Sequence, residues 1–265
     1  MAVRENPVKA KLARGEVALG TMVFEFASPG LPAILATTGA EFAIYDMEHT
    51  GLTLETVRAL MAWSRGTTTV PLVRVPAIDP QFMSHALDVG AFGLMVPNVQ
   101  TRAEAELVVS ATRYPPRGRR GAAFGFAQDD FQRGPVGPTI EALEARTLLI
   151  AQVESVEGLA NVEEIAAVDG IDVLWVGHFD LTVSMGIPGA FGDRRFLDAM
   201  ARVAGAAASR GLAAGFNVDT VDSGRDWIAR GYRMIAYKAD FRLLAGALAA
   251  GIEGLRAAPQ VRPAR

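Results

Sequence analysis

Ionisable side chains follow several short apolar runs of the sequence, each close to the point where the run ends. They are Asp46, Glu48, His49, Arg74, Glu154 and Asp180. If the runs are parallel strands of a barrel, their carboxyl ends open onto one mouth and these groups share one site. The residue types indicate oxygen and imidazole chemistry, because the sequence contains no cysteine that could act as a nucleophile or a thiolate ligand.

Glu154 and Asp180 are the candidate metal ligands. A carboxylate at the end of an apolar strand is costly to desolvate unless a cation or hydrogen-bond donors compensate it. Two such groups on adjacent strands suit a hard divalent cation, Mg²⁺, Mn²⁺ or Co²⁺, which prefers oxygen ligands and keeps positions open for a substrate. Two simpler roles stay open: a structural salt bridge for Glu154 and a helix cap for Asp180.

His49 is the candidate general base. A histidine titrates near neutral pH, and a carboxylate on one ring nitrogen fixes the tautomer and raises the basicity of the other nitrogen. Asp46, in the same segment, is the expected partner of the ring. The alternative is that His49 only packs or caps the strand end. Of the other two histidines, His85 lies in a helical pattern and is expected to be a surface or packing residue, whereas His178 adjoins Asp180 and could line the mouth.

Arg74 lies between Val73 and Val75 on a short strand, where a permanently charged guanidinium needs an anion or a ring of acceptors. We interpret it as the group that stabilises a keto oxygen or a developing enolate, a role that suits the fixed fork of arginine. The alternative is a structural ion pair with a carboxylate of the barrel.

The elements that must position these groups alternate along the chain. Short apolar, β-branched-rich runs predict strands at 17–26, 42–46, 70–75, 93–96, 148–153, 173–176, 213–217 and 234–236. Helical patterns lie at 31–38, 54–64, 81–89, 102–112, 158–168, 195–210, 221–230 and 243–255. Successive strand–helix pairs predict one α/β domain over residues 1–265, a TIM (β/α)8 barrel. An open doubly wound sheet is the alternative, although the chain has neither GxGxxG nor GxxxxGK[ST].

Two segments depart from this alternation. Residues 113–146 are dense in proline, glycine and arginine and are too long for an ordinary connection. We therefore expect an ordered excursion there, near the site or at a subunit contact. The tail at 257–265 is expected to fray.

Composition restricts the classes of function. The 265 residues carry a formal net charge of -3 and half of them are hydrophobic, which argues against a cationic nucleic-acid surface. Residues 1–16 are polar, and no run of the sequence is long and apolar enough to span a membrane. We therefore expect a cytoplasmic protein with a small-molecule substrate and with neither a nucleic-acid nor a membrane partner.

Ordered motifs across the chain resemble one family. The motifs are IYDMEH at 44–49, PLVRVP at 71–76, LDVGA at 87–91, VPNV at 96–99, RYPPRGRRG at 113–121, QVES at 152–155 and GHFDL at 177–181. They closely resemble the HpcH/HpaI aldolases, which are class II 2-keto-3-deoxy acid aldolases such as the 4-hydroxy-2-oxoheptanedioate and 2-dehydro-3-deoxyglucarate aldolases. The similarity extends in order from about residue 20 to residue 244, nearly the whole chain.

The resemblance implies a TIM barrel of the phosphoenolpyruvate/pyruvate superfamily that is usually a hexamer. It implies a divalent metal on Glu154 and Asp180, a base at His49 supported by Asp88, and a catalytic arginine at Arg74. Gln152 matches a residue near the bound oxo acid, and the backbone of Gly177 and His178 matches the site of the pyruvate carboxylate. One departure is His178 itself, because many members of the family have proline there.

The implied reaction is the reversible retro-aldol cleavage of a 4-hydroxy-2-oxo acid to pyruvate and an aldehyde. Three alternatives stay open. The first is a class I aldolase with Lys238 as the Schiff-base lysine, the second a lyase of citramalyl-CoA or malyl-CoA type, and the third a barrel without catalytic activity. The sequence indicates neither the acceptor aldehyde nor the choice of metal. Loops, among them residues 120–128 of the same or a neighbouring subunit, are expected to form the aldehyde pocket.

Overall fold

Eight parallel strands close into a barrel. The computed structural model describes residues 3–257 of the chain. Its strands are β1 (Ala18–Val23), β2 (Phe42–Asp46), β3 (Val70–Arg74), β4 (Gly93–Val96), β5 (Leu148–Val153), β6 (Val173–Val176), β7 (Ala213–Val218) and β8 (Tyr232–Ala239). The strands follow one another in chain order, and β8 pairs with β1. The predicted TIM barrel is confirmed, and the open doubly wound sheet is wrong.

Two strands differ from their predicted bounds by more than one residue at an end. β1 ends at Val23 and not at residue 26, because the backbone N–H groups of Phe24, Glu25 and Phe26 donate to the carboxylate of Asp240 instead of to a strand. β8 is longer than the predicted 234–236, since its ends continue to pair with β7 and β1.

Helices surround the barrel. They are α1 (Pro7–Ala13), α2 (Leu31–Thr37), α3 (Leu54–Trp63), α4 (Pro80–Asp88), α5 (Arg102–Thr112), α6 (Val136–Arg146), α7 (Val156–Ala160), α8 (Val162–Ala166), α9 (His178–Ser184), α10 (Arg194–Ser209), α11 (Val221–Ala229) and α12 (Asp240–Arg256). Within residues 3–257, no helix has both the length and the apolar composition needed to cross a bilayer.

The helix predictions need correction. The helix predicted at 158–168 is divided into α7 and α8 at Asn161, whose side chain donates to the carbonyl of Gln100 at 2.8 Å. Helices α1, α6 and α9 were not predicted. The excursion at 113–146 is ordered, with a 3-10 turn at Ala127–Asp129 followed by α6. The predicted fraying of the tail concerns residues that lie almost wholly outside the described part of the chain.

Alternation along the strands sorts the apolar side chains into two layers. One face of each strand fills the barrel interior, with Phe42, Leu72, Ile150 and Trp175 among its members. The other face packs against the surrounding helices. Gly215 makes room for the interior layer, since a Cβ at this position would lie 2.2 Å from the indole of Trp175.

The amino end of the barrel is closed by α1. Val8 and Leu12 of this helix are buried in the same cluster as the interior side chains of the strands. Asn6 caps the helix by accepting a hydrogen bond from the backbone N–H of Lys9 at 3.1 Å.

The same alternation carries polar side chains into the carboxyl end of the barrel. Asp46 lies two positions after the interior residue Ile44, and Arg74 lies two positions after Leu72. Gln152 continues the inward face of β5 in the same way. A strand period of two residues therefore directs these side chains to one mouth.

Candidate active site

A cavity of about 370 Å³ opens at the carboxyl ends of the strands. Its polar lining includes His49, Arg74, Gln152, Asp180, Asn217, Asp219 and Arg242. Its aromatic lining includes Phe24, Trp175, Phe179 and Phe241. The structure thus brings together side chains from β2, β3, β5 and β6, as the positions at the strand ends predict.

Arg74 is held at one edge by two carboxylates. Its Nε donates to Oδ1 of Asp46 at 2.5 Å and lies 3.3 Å from Oε2 of Glu48. Asp46 is fully buried and Arg74 is 6% exposed, so this is an interior ion pair. The alternative of a structural ion pair with a barrel carboxylate is therefore correct for Nε of Arg74.

The remainder of the Arg74 guanidinium is available for a ligand. Its centre lies 5.4 Å from the centroid of the Phe24 ring, in cation–π contact. Its NH2 nitrogen is buried, and no residue within 3–257 accepts a hydrogen bond from it. A buried donor without an acceptor is costly, and an oxygen of a ligand in the cavity would satisfy it.

The Glu154 carboxylate lies in a close-fitting recess beside Gly177. Oε1 accepts from the backbone N–H of Asn98 at 2.6 Å, and Oε2 accepts from the side-chain amide of Gln152. A Cβ at Gly177 would come within 2.2 Å of Oε2, so only glycine leaves room for the carboxylate. Glu154 makes no salt bridge among the described residues, and the salt-bridge alternative thus has no support.

Negative charge accumulates around Glu154. Burial, with a smaller contribution from the nearby charges of Glu48 and Asp180, raises the pKa of Glu154 to about 7 against the opposing hydrogen bonds from Gln152 and Asn98. Burial likewise raises the pKa of Glu48, with Asp46 and Asp180 adding to the effect and Arg74 opposing it. Buried carboxylates therefore lie close enough to one another to disfavour their charged forms, an arrangement that a bound cation would stabilise.

The residues present fit a hard divalent cation in part. Glu154 and Asp180 supply carboxylate oxygens, and Asp180 makes neither a salt bridge nor a hydrogen bond through its side chain within residues 3–257. The described residues contain no group of three or more acidic, histidine or cysteine side chains placed to hold a metal. The chain would therefore supply two ligands and leave the other positions to substrate and water.

Asp180 occupies the first turn of α9, and Gly177 is the N-cap. No side chain caps this helix, so the helix-cap alternative for Asp180 is wrong. His178 begins the same helix, and its ring packs against Phe179, Phe191 and Phe216 at centroid distances of 4.4, 5.1 and 5.1 Å. Burial lowers the pKa of His178 to about 4, so the imidazole is neutral near pH 7 and forms part of an aromatic wall.

His49 lies at the rim of the cavity with an exposed side chain. The predicted contact between its ring and Asp46 is wrong, because the Asp46 carboxylate accepts instead from the backbone N–H groups of Glu48 and His49 and from Arg74. The nearest acid to the ring is Glu48, whose Oε2 lies 3.7 Å from Nε2.

Asp88 does not meet His49 within one chain. It ends α4, and the carboxyl end of that helix leads to the amino end of β4, the side of the barrel opposite the cavity. There Asp88 accepts from NH2 of the buried Arg120 at 2.7 Å. The guanidinium of Arg120 also lies 4.9 Å from the ring of Tyr114, so in its own chain Asp88 connects α4 to the ordered excursion.

Lys238 lies beside Tyr237 and α12. It has a positive φ of 56° at the end of β8, its Nζ lies 5.4 Å from the ring of Tyr237, and Gly246 of α12 is close by. It is not among the residues that line the cavity. The Schiff-base alternative has no support in this geometry.

Several lining residues were not identified from the sequence. Asn217 could have been found, because it continues the inward face of β7 and so obeys the period of two. Its Oδ1 is buried without a donor among the described residues. Phe24 and Arg242 lie beyond strand ends, where no period applies. NH1 of Arg242 lies 3.2 and 3.3 Å from the carboxylate oxygens of Asp219.

Comparison with known proteins identifies the family. The model of the family described as HpcH/HpaI aldolase/citrate lyase matches residues 21–247. The hydroxypyruvate/pyruvate aldolase of Delftia acidovorans is 34% identical over 257 residues, which are 97% of this chain and 95% of the relative. The 5-keto-4-deoxy-D-glucarate aldolase of Escherichia coli K12 is 29% identical over 89% of this chain and 91% of its own length. The crystal structure of an HpcH/HpaI aldolase from Desulfitobacterium hafniense superposes with a TM-score of 0.90 at 28% identity, over 96% of this chain and 98% of that one.

Proposed function

Since the chain belongs to the HpcH/HpaI aldolase/citrate lyase family and is a carbon–carbon lyase of the aldolase type, we propose that it is a metal-dependent class II pyruvate aldolase. Its reaction is the reversible cleavage of a 4-hydroxy-2-oxo acid to pyruvate and an aldehyde. One observation carries the proposal: Arg74, whose buried NH2 has no acceptor among the described residues, lines the same cavity as Asp180 and Gln152. Gln152 in turn donates to the carboxylate of Glu154.

Glu154 and Asp180 are the proposed ligands of Mg²⁺, Mn²⁺ or Co²⁺. Both offer the hard oxygen donors that these ions prefer, and Gly177 leaves the space that the Glu154 carboxylate needs. When bound, the cation supplies positive charge where the negative charge of the enolate develops.

Arg74 binds and stabilises the oxo acid. Its NH2 donates to the keto oxygen of the substrate, and the bond strengthens as that oxygen gains charge. The carboxylates on the Nε edge keep the guanidinium plane fixed, so little reorganisation accompanies the reaction. Gln152 lies beside the same oxo group, and the backbone at Gly177 and His178 holds the carboxylate of the substrate.

His49 moves the proton. In cleavage it accepts the proton of the C4 hydroxyl while the C3–C4 bond breaks, and it then donates that proton to C3 of the enolate to give pyruvate. In synthesis it accepts a methyl proton of pyruvate and donates it to the C4 alkoxide that forms with the new bond. Its position at the rim suits contact with the part of the substrate that leaves as the aldehyde. Asp88 can support His49 only from a second copy of the chain, because in its own chain it lies at the other end of the barrel.

We propose in addition that the protein assembles from copies of this chain, as the hexamer implied by the resemblance would. Asp240 is the only buried residue of α12 within its described length, and this helix exposes Leu244, Leu248, Ile252 and Leu255. A contiguous apolar surface of this kind is typical of an interface. Light scattering of the purified protein tests the proposal, and a monomer at micromolar concentration would contradict it.

A pyruvate-release assay over a panel of 4-hydroxy-2-oxo acids tests the activity. We expect turnover with Mn²⁺, loss of turnover after chelation, and recovery when the metal is returned. Glu154→Gln should be inactive at every metal concentration, whereas the exposed control Glu164→Gln should behave as the wild type.

Three results of the same assay would contradict the proposal. Activity that survives chelation but is lost in Lys238→Ala would support a Schiff-base aldolase. Cleavage of citramalyl-CoA without cleavage of any 4-hydroxy-2-oxo acid would support a CoA-thioester lyase. Failure to release pyruvate from any substrate, with the metal shown to be bound, would support a non-catalytic barrel.

A further inference from the structure

Asp240 is a buried carboxylate outside the residues to which a role has been given. It is 6% exposed and is the first residue of α12. Oδ1 accepts from the backbone N–H groups of Phe24 at 3.0 Å and Phe241 at 2.9 Å. Oδ2 accepts from those of Glu25 at 3.0 Å and Phe26 at 2.7 Å. These four donors compensate the desolvation of the carboxylate.

These hydrogen bonds fix a short segment that has no strand partner. Residues 24–26 follow β1, and 27–30 are exposed before α2 begins. Asp240 is 214 to 216 positions away along the chain, so it ties the first connection of the barrel to the last helix. Without the Asp240 carboxylate, the backbone N–H groups of residues 24–26 would have no other acceptor among the described residues.

The segment places Phe24 on Arg74. The Phe24 ring contacts the ring of Phe241 edge to face at a centroid distance of 6.2 Å, and both residues are held through their own backbone N–H by Oδ1 of Asp240. The Phe24 ring also contacts the guanidinium of Arg74, whose central carbon lies 5.4 Å from the ring centroid. One carboxylate therefore determines where this aromatic ring lies in the wall of the cavity.

The other contacts of Arg74 do not replace this one. Asp46 and Glu48 both lie at the Nε edge of the guanidinium. These two carboxylates fix the position of Nε. The tilt of the guanidinium plane, and hence the direction of NH2, depends on the group that packs against the face of that plane. The described contact on that face is Phe24.

We propose that Asp240 is a positioning residue for Arg74 and acts through Phe24. The inference rests on the proposed function in one respect, namely that Arg74 binds the oxo acid. Asparagine at position 240 would keep the size of the side chain but offer one acceptor oxygen, and its amide group would face backbone N–H donors. The segment would then move, and the ring would leave the guanidinium.

The test is a double-mutant cycle of Asp240→Asn and Phe24→Leu, read as the affinity for oxalate in the presence of Mg²⁺ by calorimetry. Oxalate is a planar dianion that resembles the pyruvate enolate, and its binding needs no turnover. We expect each single variant to lose about tenfold in affinity and the double variant to lose no more than the weaker binder of the two. The control Asp222→Asn changes an exposed aspartate in the first turn of α11 and should bind as the wild type.

The outcomes separate this inference from the proposed function. Full oxalate affinity in a folded Asp240→Asn protein overturns the inference, and so do losses that add in the double variant. If Asp240→Asn does not fold, Phe24→Leu alone decides, since unchanged affinity in that variant overturns the inference. A wild type that binds oxalate as expected but releases no pyruvate from any substrate contradicts the proposed function and leaves this result standing.

Discussion

Nε of Arg74 donates to Oδ1 of Asp46 at 2.5 Å across the carboxyl ends of two adjacent strands, and the two residues are register partners in β2 and β3. Asp46 also accepts from the backbone N–H groups of Glu48 and His49. A single buried carboxylate therefore shapes the turn that carries His49 and fixes the guanidinium that lines the cavity. Fold stability and the geometry of the candidate site depend here on the same group.

Asp46→Asn should lower the free energy of unfolding by about 3 kcal/mol, because it leaves a buried guanidinium with only the more distant carboxylate of Glu48. Urea denaturation checks this. The exposed residue Glu164 offers a matched control, and Glu164→Gln should stay within about 0.5 kcal/mol of the wild type. Equal stability of the two variants would show that the ion pair contributes nothing.

The contribution of Glu154 to the stability of the metal-free protein should fall as the pH rises from about 4.5 to about 7. Burial raises the pKa of Glu154 to about 7, so folding favours the neutral acid. The resulting stabilisation is complete below the unfolded pKa of about 4.5 and is lost as the pH rises through the folded value. The size of the effect is on the order of 3 kcal/mol.

Denaturation of wild type and Glu154→Gln in the presence of a chelator isolates this contribution. The difference in unfolding free energy between the two proteins should change across this pH range. A difference in unfolding free energy that stays constant from pH 4.5 to pH 7 would mean that Glu154 does not titrate as its burial implies.

Gly177→Ala should abolish metal-dependent activity. The added Cβ would lie 2.2 Å from Oε2 of Glu154, so the carboxylate must leave its recess or the start of α9 must shift. We expect a loss of stability of about 1–3 kcal/mol as well. Gly192→Ala is the matched control, since a Cβ there meets no atom within 4 Å and the backbone has no positive φ. Wild-type turnover in Gly177→Ala would rule out this position for the Glu154 carboxylate.

Arg242→Gln should change selectivity for the far end of the substrate. Only NH1 of Arg242 donates to a described residue, Asp219, and the side chain lines the cavity at its rim. A substrate with a distal carboxylate should therefore lose about tenfold in kcat/KM, while a neutral analogue should not. Arg225→Gln, which alters an exposed ion pair on α11, serves as the control. Equal losses for both substrates would contradict the assignment.

The short apolar runs of the sequence predicted the strands. The side chains that point into the barrel could then be predicted, because successive side chains of a strand alternate between its two faces. Arg74 and Gln152 obey the alternation of β3 and β5, and so they reach the mouth without any knowledge of the loops. Asp180 was placed by its position just after β6. In each of these cases the signal is local.

The misses have a common physical origin in contacts between distant parts of the chain. Asp88 does not reach His49 within one chain, because the direction of α4 takes it to the other end of the barrel, and its support of His49 stays a prediction for a second copy of the chain. Asp46 was expected on the ring of His49, but nearby backbone donors compete for its oxygens. The contact between Phe24 and Asp240 spans 216 positions and leaves no pattern in either segment.

Side chains of the strands fill the barrel interior, and Val8 and Leu12 of α1 pack below them, so the cavity is reached from the carboxyl ends of the strands. The substrate therefore enters and the products leave through the same opening. In the proposed cleavage, the pyruvate fragment binds to the buried Arg74, and the aldehyde fragment lies between it and the opening of the cavity. The aldehyde must depart before pyruvate, and product inhibition should show that order.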